Sequence, residues 1–492
     1  MQLALAAAPI AVLLLLMIGL RWTAAFAGAT SALAAALIAV TAFEFGSTST
    51  AGALVGAAVE ALFSGMMILW IIFAALVIYE YQNRSGAFAT LQHWLHGFGA
   101  HRGVAVLLVA WFFALFLEGA AGFGTPVALA APLLVGMGVP PVRALTAVLI
   151  GHAVGVSFGA LGTPILPLVL NTGLQPSPLS FGIAAVHGAL GWVLAAIVLR
   201  QAHPQGAIST SLLAAGCFLV PFFLIAWAVG PELPTLGGAI VGMAAFLAVA
   251  RLTGGGERPA PPSAMIAAAA PYLAVIALVL ATKLAGPIRT ALSAVIWSWE
   301  LPGGFAGTIA PLVHPGTLLL AGLIAAAVLQ GGLRAHALPA LAGAAERLPR
   351  VAVALFSVLL LSRILVHAGM TDILAQYAAA FLGKGWPLAS PGLGALGSFI
   401  TGSATASNIL FSSLQQEAAI RSSTDPLLAG IGQGVGAAIG NMIAPHNIVA
   451  GAATVGLVGA EAAVLRRTLP VCVLYALAAG LLLLAAGWLA GG

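Results

Sequence analysis

The chain has 492 residues, of which 62% are hydrophobic and only 6% charged, with a formal net charge of +5. A soluble domain carries about 25% charged residues, and the mean hydropathy here is +1.12. These values exclude a water-soluble globular protein, a disordered chain, a fibrous repeat and a disulfide scaffold, so the surrounding solvent has to be lipid.

A bilayer core of about 30 Å is crossed by about 20 helical residues. In chain order the sequence predicts twelve spans, near 3–20, 22–43, 52–79, 144–166, 181–199, 210–230, 237–252, 264–282, 316–333, 351–369, 427–460 and 468–488. The first lacks a basic leader and is not followed by an A-x-A cleavage site and a soluble domain together, which predicts a spanning helix and not a signal peptide. The 427–460 stretch is too long for one straight helix and is expected to break. Cys217 and Cys472 are isolated in apolar runs, without a C-x-x-C partner, and predict no metal or redox site.

Two apolar stretches, 103–138 and 386–420, are cut in the middle by small and polar residues. The cuts read E-G-A-A-G-F-G-T-P at 118–126 and T-G-S-A-T-A-S-N at 401–408. Each arm is short for a crossing, which predicts two re-entrant helical hairpins. With the N-terminus outside and both hairpins returning to their own side, twelve arginines fall in the cytoplasm, from Arg21 to Arg467. Lys283, Arg289, Lys384 and Arg421 fall outside, and the C-terminus is outside as well.

The hairpins then enter from opposite sides, as an inverted repeat requires. A Gly-rich helix with a Pro-containing break follows each one, at 144–165 and 427–448. The fold class is an all-α polytopic membrane protein with about 12 transmembrane helices plus two re-entrant hairpins. A single transporter domain fills the chain: repeat 1 at about 52–200, a linker and middle helices at about 201–315, and repeat 2 at about 316–489. G-G-G-E-R-P-A-P-P at 254–262 is a flexible loop, and 283–314 is an external loop with an interfacial helix. Trp297 and Trp299, and Trp94 with His93 and His96, suit the headgroup layer.

Thr125-Pro126, Thr163-Pro164, Ser407-Asn408 and Ala444-Pro445 each look like the start of a half-helix, with a capping residue or a proline in the first turn. Such ends offer unpaired N–H groups and about half a positive charge. Converging at mid-membrane, they would bind an anion without a lysine or arginine. Gly119, Gly122, Gly124, Gly162 and Gly402 would let a ligand reach bare backbone, or else permit close helix packing.

Ionisable groups are few. Glu118 at the first tip is a candidate proton carrier, or an acceptor for tip N–H groups. His152 and His446, one in each broken helix, are the other proton-coupling candidates. His187 and Glu60 have weaker claims. Arg363 could pair with substrate or with Glu118, or snorkel to an interface. Asn408, Asn441 and Asn447 are polar ligand candidates, with Ser403, Thr405 and Ser407 beside them.

F-L-E-G-A-A-G-F-G-T-P-V-A-L-A-A-P-L-L-V-G at 116–136 resembles the hallmark segment of the bacterial lactate permease family. The resemblance continues at 156–165, 402–415 and 442–450, covering about a third of the chain. It implies uptake of lactate and glycolate by proton symport, and the hairpin architecture of the wider ion-transporter superfamily. Elevator-type movement is implied by that analogy alone. The family pattern has Asp where this chain has Ala404, Lys where it has Asn441, and S-P-Q where it has Ala444-Pro445-His446. It has Asn-Thr-Ala where Gly151, His152 and Ala153 stand. An acid and a base are absent together, which points to coupling through His152, His446 or Glu118.

The expected function is proton-coupled symport of short 2-hydroxy monocarboxylates across the bacterial cytoplasmic membrane. The partners are the carboxylate anion, a proton and the lipid bilayer, with no nucleic acid. The alternative is a Na⁺-coupled small organic anion transporter of the same architecture. An intramembrane enzyme is disfavoured because H-E-x-x-H is absent and Glu118 lacks a neighbouring nucleophile. No catalytic residue, cofactor or metal is expected. A non-transporting sensor is disfavoured by the lack of an appended soluble domain.

Overall fold

The computed structural model describes residues 1–20, 22–43, 45, 49–87, 89–90, 94, 102–122, 124–253, 263–330, 332–457 and 461–491. The side chains of 18, 24, 253, 263–269, 283, 284, 350, 446, 453, 490 and 491 stand outside that description. The chain is an all-α polytopic membrane protein. Among the described residues, eight helices are long and apolar enough to cross a membrane, or up to eleven if each bent pair counts as one span. Length and composition thus do not reach twelve. Gln2–Met17 and Pro315–Leu329 are apolar but short.

The first hairpin consists of Arg102–Ala120, a turn, and Thr125–Gly136 folded back on it. Its first arm is 19 residues and long enough to cross, unlike the short arm expected from sequence. The second hairpin pairs Trp386–Thr401 with Ala404–Arg421. After the first comes Pro141–Gly151, a tight helical segment at Ala153–Phe158, and Ile165–Thr172. After the second comes Pro426–Gly440, then Asn441–Ile443, then Pro445–Thr454. The expected break inside 427–460 is present.

Prolines at the first helical positions start many of these segments, where a missing N–H costs nothing. Asp425 caps Pro426–Gly440 by accepting from the Leu427 amide at 2.8 Å. Gly432, Gly436 and Gly440 recur every fourth residue and face Trp386–Thr401. A Cβ on Gly436 would collide with the Pro391 carbonyl, and one on Gly440 with the Ala395 carbonyl. Apolar area drives little helix association in lipid, so close backbone approach and hydrogen bonds carry it. Ser390 Oγ accordingly donates to the Ala429 carbonyl at 2.8 Å across the same face. Here the packing role of the glycines holds.

The interior divides into two main clusters. One gathers around Trp111, Phe218, Phe222 and Phe246, and the other around Thr50–Arg84, Pro315–Leu329 and Leu338–His367. The 283–314 stretch carries the expected helix, Gly286–Ser293, and also an unexpected antiparallel pair, Trp297–Leu301 with Phe305–Ile309. Trp297 is exposed, while Trp299 packs edge-on against Phe63 at 5.6 Å. Trp94 is buried in the first cluster and not at an interface, because its ring fills a gap among apolar helices. His93, His96 and the 254–262 loop lie outside the described residues.

Candidate functional site

Both hairpin tips and both broken helices meet at one cavity of about 170 Å³. The first tip contributes Glu118, Gly122 and Gly124, and the second contributes Thr401, Gly402, Ser403, Ala404 and Thr405. Val156, Gly159, Ala160, Thr163 and Pro164 come from the first broken helix, Asn441 and Asn447 from the second. Ala404 and Asn441, two of the positions singled out in the sequence, both face the cavity. Glu118 is the charged side chain in this lining, and no described residue donates to its carboxyl group.

The first tip turns through Gly122 and Gly124, at φ +60° and +79°, which opens backbone to the cavity. The Thr125 hydroxyl points back to the Gly122 carbonyl at 2.8 Å, so it braces the turn and does not line the cavity. Gly119 and Gly162 also serve packing: a Cβ on either would collide with Leu236 or Pro231. Gly159 makes room for the carboxyl group of Glu118, against which a Cβ would collide. Ala160 and Leu161 take left-handed φ values of 42° and 52°. Such non-glycine residues each cost about 1–3 kcal/mol and cluster at functional sites. Sequence gave no sign of this strain beyond the glycines on either side.

The second tip starts its helix earlier than the sequence suggests. The cap is Ser403, whose Oγ accepts from the Ala406 amide at 3.3 Å. Ser407 and Asn408 lie four and five residues further in, and both are spent on structure. Ser407 Oγ donates to the Gly394 carbonyl and Asn408 Nδ2 to the Pro164 carbonyl, each at 2.8 Å. Gln433 Nε2 bonds both side chains at 3.1 Å. The Ala404 and Thr405 amides have no intrahelical partners and belong to cavity-lining residues, while Ser403 Oγ takes the Ala406 amide. The Ser403 hydroxyl proton is also free, because Oγ acts as an acceptor in its described bond.

The second broken helix brings Asn447 Nδ2 to 2.8 Å from Asn441 Oδ1 and 3.1 Å from the Asn441 carbonyl. Behind them His152 is buried, with Nδ1 at 2.7 Å from the Val148 carbonyl and the Asn441 side chain as its other partner. His152 thus touches the lining without joining it. The side chain of His446 lies outside the described residues. His187 is buried between Ser157 Oγ at 2.9 Å and Tyr475 Oη at 2.8 Å, away from the cavity.

Arg363 neither snorkels nor meets Glu118. Its Nη2 donates to Asn171 Oδ1 at 2.7 Å, and its Nε lies 3.9 Å from Glu60 Oε2. Glu60 also meets His367 Nε2 at 2.8 Å. This buried pair draws Arg363 away because two apposed charges in lipid are cheaper than one alone.

Apolar spanning helices around a polar cavity, shared by two tips and two breaks, define a multi-pass membrane transporter. The L-lactate permease family matches residues 2–257 and 264–489, so the chain belongs to that family. It is 30% identical to the L-lactate permease of Streptococcus iniae over 73% of this chain and 79% of that protein. It is 29% identical to the glycolate permease GlcA of Escherichia coli K12, over 94% of this chain and 92% of that protein. The L-lactate permease of Bacillus subtilis 168 is likewise 29% identical, over 85% and 84%. The solved structure of Neisseria gonorrhoeae MtrF aligns at a TM-score of 0.49 and 15% identity, over 88% of this chain and 83% of that one.

Proposed function

We propose that this chain is a secondary active transporter, not an enzyme, that carries lactate- or glycolate-type 2-hydroxy monocarboxylates with a proton across the cytoplasmic membrane. The cavity carries this reading. It joins elements from both proposed repeats, about 52–200 and 316–489, and couples anion-seeking helix ends to one protonatable group. The substrate carboxylate sits on the first-turn amides of Ala404–Arg421, with the Ser403 and Thr405 hydroxyls. This replaces the Ser407–Asn408 cradle expected from sequence. A single negative charge suits the site, since among the described residues no Lys or Arg lines it.

Glu118 carries the coupled proton in this reading. The loaded site, with carboxylate and proton together, adds no net charge to the buried cavity, which lowers the cost of crossing lipid. The relatives' names, L-lactate permease and glycolate permease, support the substrate class. Both termini lie outside the cell, with the two hairpins entering from opposite sides as re-entrant elements.

The test is radiolabelled L-lactate uptake into proteoliposomes under an imposed pH gradient without sodium. Accumulation above equilibrium that collapses with a protonophore is the expected result. Accumulation that follows a Na⁺ gradient and ignores the protonophore would replace the proton with Na⁺.

A further inference from the structure

The orientation of the Asn447 amide is fixed by its neighbour. One end of that amide lies 3.1 Å from the Asn441 main-chain carbonyl. A carbonyl only accepts, so the facing atom is Nδ2. The second proton of Nδ2 goes to Asn441 Oδ1 at 2.8 Å. Both donors are thereby used. Asn447 is only 5% exposed, yet it lines the cavity, and no described residue donates to its Oδ1. That oxygen lies 4.0 Å from where a Cβ on Gly124 would stand.

Reversing this amide would set its oxygen against the Asn441 main-chain carbonyl, so its orientation is fixed. The cavity therefore meets an oxygen at Asn447 that can only accept.

We infer that Asn447, held by Asn441, reads the substrate's 2-hydroxyl as a hydrogen-bond donor. This rests on the carboxylate reading above. With the carboxylate on the Ser403–Thr405 helix end, a hydroxyl on the adjacent carbon satisfies Asn447 Oδ1. A 2-oxo acid would set a second acceptor against that oxygen. An unsubstituted acid would leave the oxygen buried and unpaired. Sites built to bond a hydroxyl reject analogues without one strongly, because the buried partner is stranded.

The test compares L-lactate, pyruvate, propionate and 2-methoxypropionate as competitors and substrates in proteoliposomes at one pH. The unmodified protein should favour lactate over the other three by about tenfold or more. N447A should bring the lactate-to-propionate ratio to within roughly threefold of one, with propionate uptake persisting. A purely structural role would lower all acids together and leave the ratio unchanged, which overturns the inference. So would 2-methoxypropionate competing as well as lactate in the unmodified protein, a result that needs no variant to fold. Uptake of no carboxylate at all would overturn the transport reading, and this inference with it.

Discussion

Asn408 Nδ2 donates to the Pro164 carbonyl at 2.8 Å, tying the second hairpin to the first broken helix across 244 residues. Gln433 orients this amide by donating to its Oδ1 at 3.1 Å, and Gln415 Nε2 in turn donates to Gln433 Oε1 at 2.9 Å. Substituting Asn408→Asp keeps the shape but removes the donor and faces Pro164 with an acceptor. The expected loss is about 1–3 kcal/mol. It should appear as a lower thermal midpoint in detergent, with reduced uptake. An unshifted midpoint would mean the tie carries no weight.

The glycine face of Pro426–Gly440 makes a packing prediction. Gly436→Val places a side chain against the Pro391 carbonyl, which belongs to backbone and cannot rotate away. Overpacking of this kind costs about 1–3 kcal/mol or more. The yield of monodisperse protein after extraction should fall sharply. Gly188→Ala, whose Cβ meets nothing within 4 Å, is the control and should be tolerated.

Sequence made the tips and breaks legible because Gly, Pro and capping residues interrupt long apolar runs, and those interruptions became the cavity lining. It misplaced the second cap by four residues because Ser403 and Ser407 are equally good caps, and only tertiary bonds decide between them. Ser407 and Asn408 were taken up by Gly394 and Pro164, long-range partners that spacing does not reveal. The strand pair at Trp297–Leu301 and Phe305–Ile309 had a local signal, alternating residues around Pro-Gly-Gly. The overall hydropathy of the region obscured it. The pairing of Arg363 with Glu60 spans the two halves of the chain and had no sequence signature.

His314 caps the helix Pro315–Leu329 from just outside it, with Nδ1 accepting from the Gly316 amide at 3.3 Å. Burial pushes its imidazole down to about 4. Protonation at Nδ1 would break the cap. The folded value is depressed, so stability is fully present above the ordinary value of about 6.5 and is lost as pH falls toward 4. The contribution is at most about 3 kcal/mol. His314→Asn keeps a capping side chain and should flatten the thermal midpoint between pH 6.5 and 4. A persisting slope would assign the pH dependence elsewhere.

Glu118→Gln separates binding from coupling. Gln keeps the size of the side chain beside Gly159 but cannot exchange a proton. Counterflow of lactate between equal pools should survive, while accumulation driven by a pH gradient should vanish. Retained accumulation would remove Glu118 from the proton path and shift attention to the histidines. Gly159→Ala should impair the protein through its collision with the Glu118 carboxyl group, and pairing it with Glu118→Ala should relieve that defect.

Glu60 is a partly buried carboxylate with a different task. It meets Arg363 at 3.9 Å and His367 at 2.8 Å, and it accepts from the Ala306 amide of the strand pair at 3.3 Å. Phe305 covers His367 at a ring distance of 4.5 Å. Glu60 thus fastens the strand pair to Thr50–Arg84 and holds Arg363 against Asn171 on the first broken helix. Removing one member of a buried pair strands the other charge and costs about 3–5 kcal/mol. Glu60→Leu should therefore lower the thermal midpoint strongly. Adding Arg363→Met should recover most of the loss, because an apolar pair of similar volume is well accommodated there. If the double variant is as unstable as Glu60→Leu alone, the strand contact through Ala306 carries the energy instead of the ion pair.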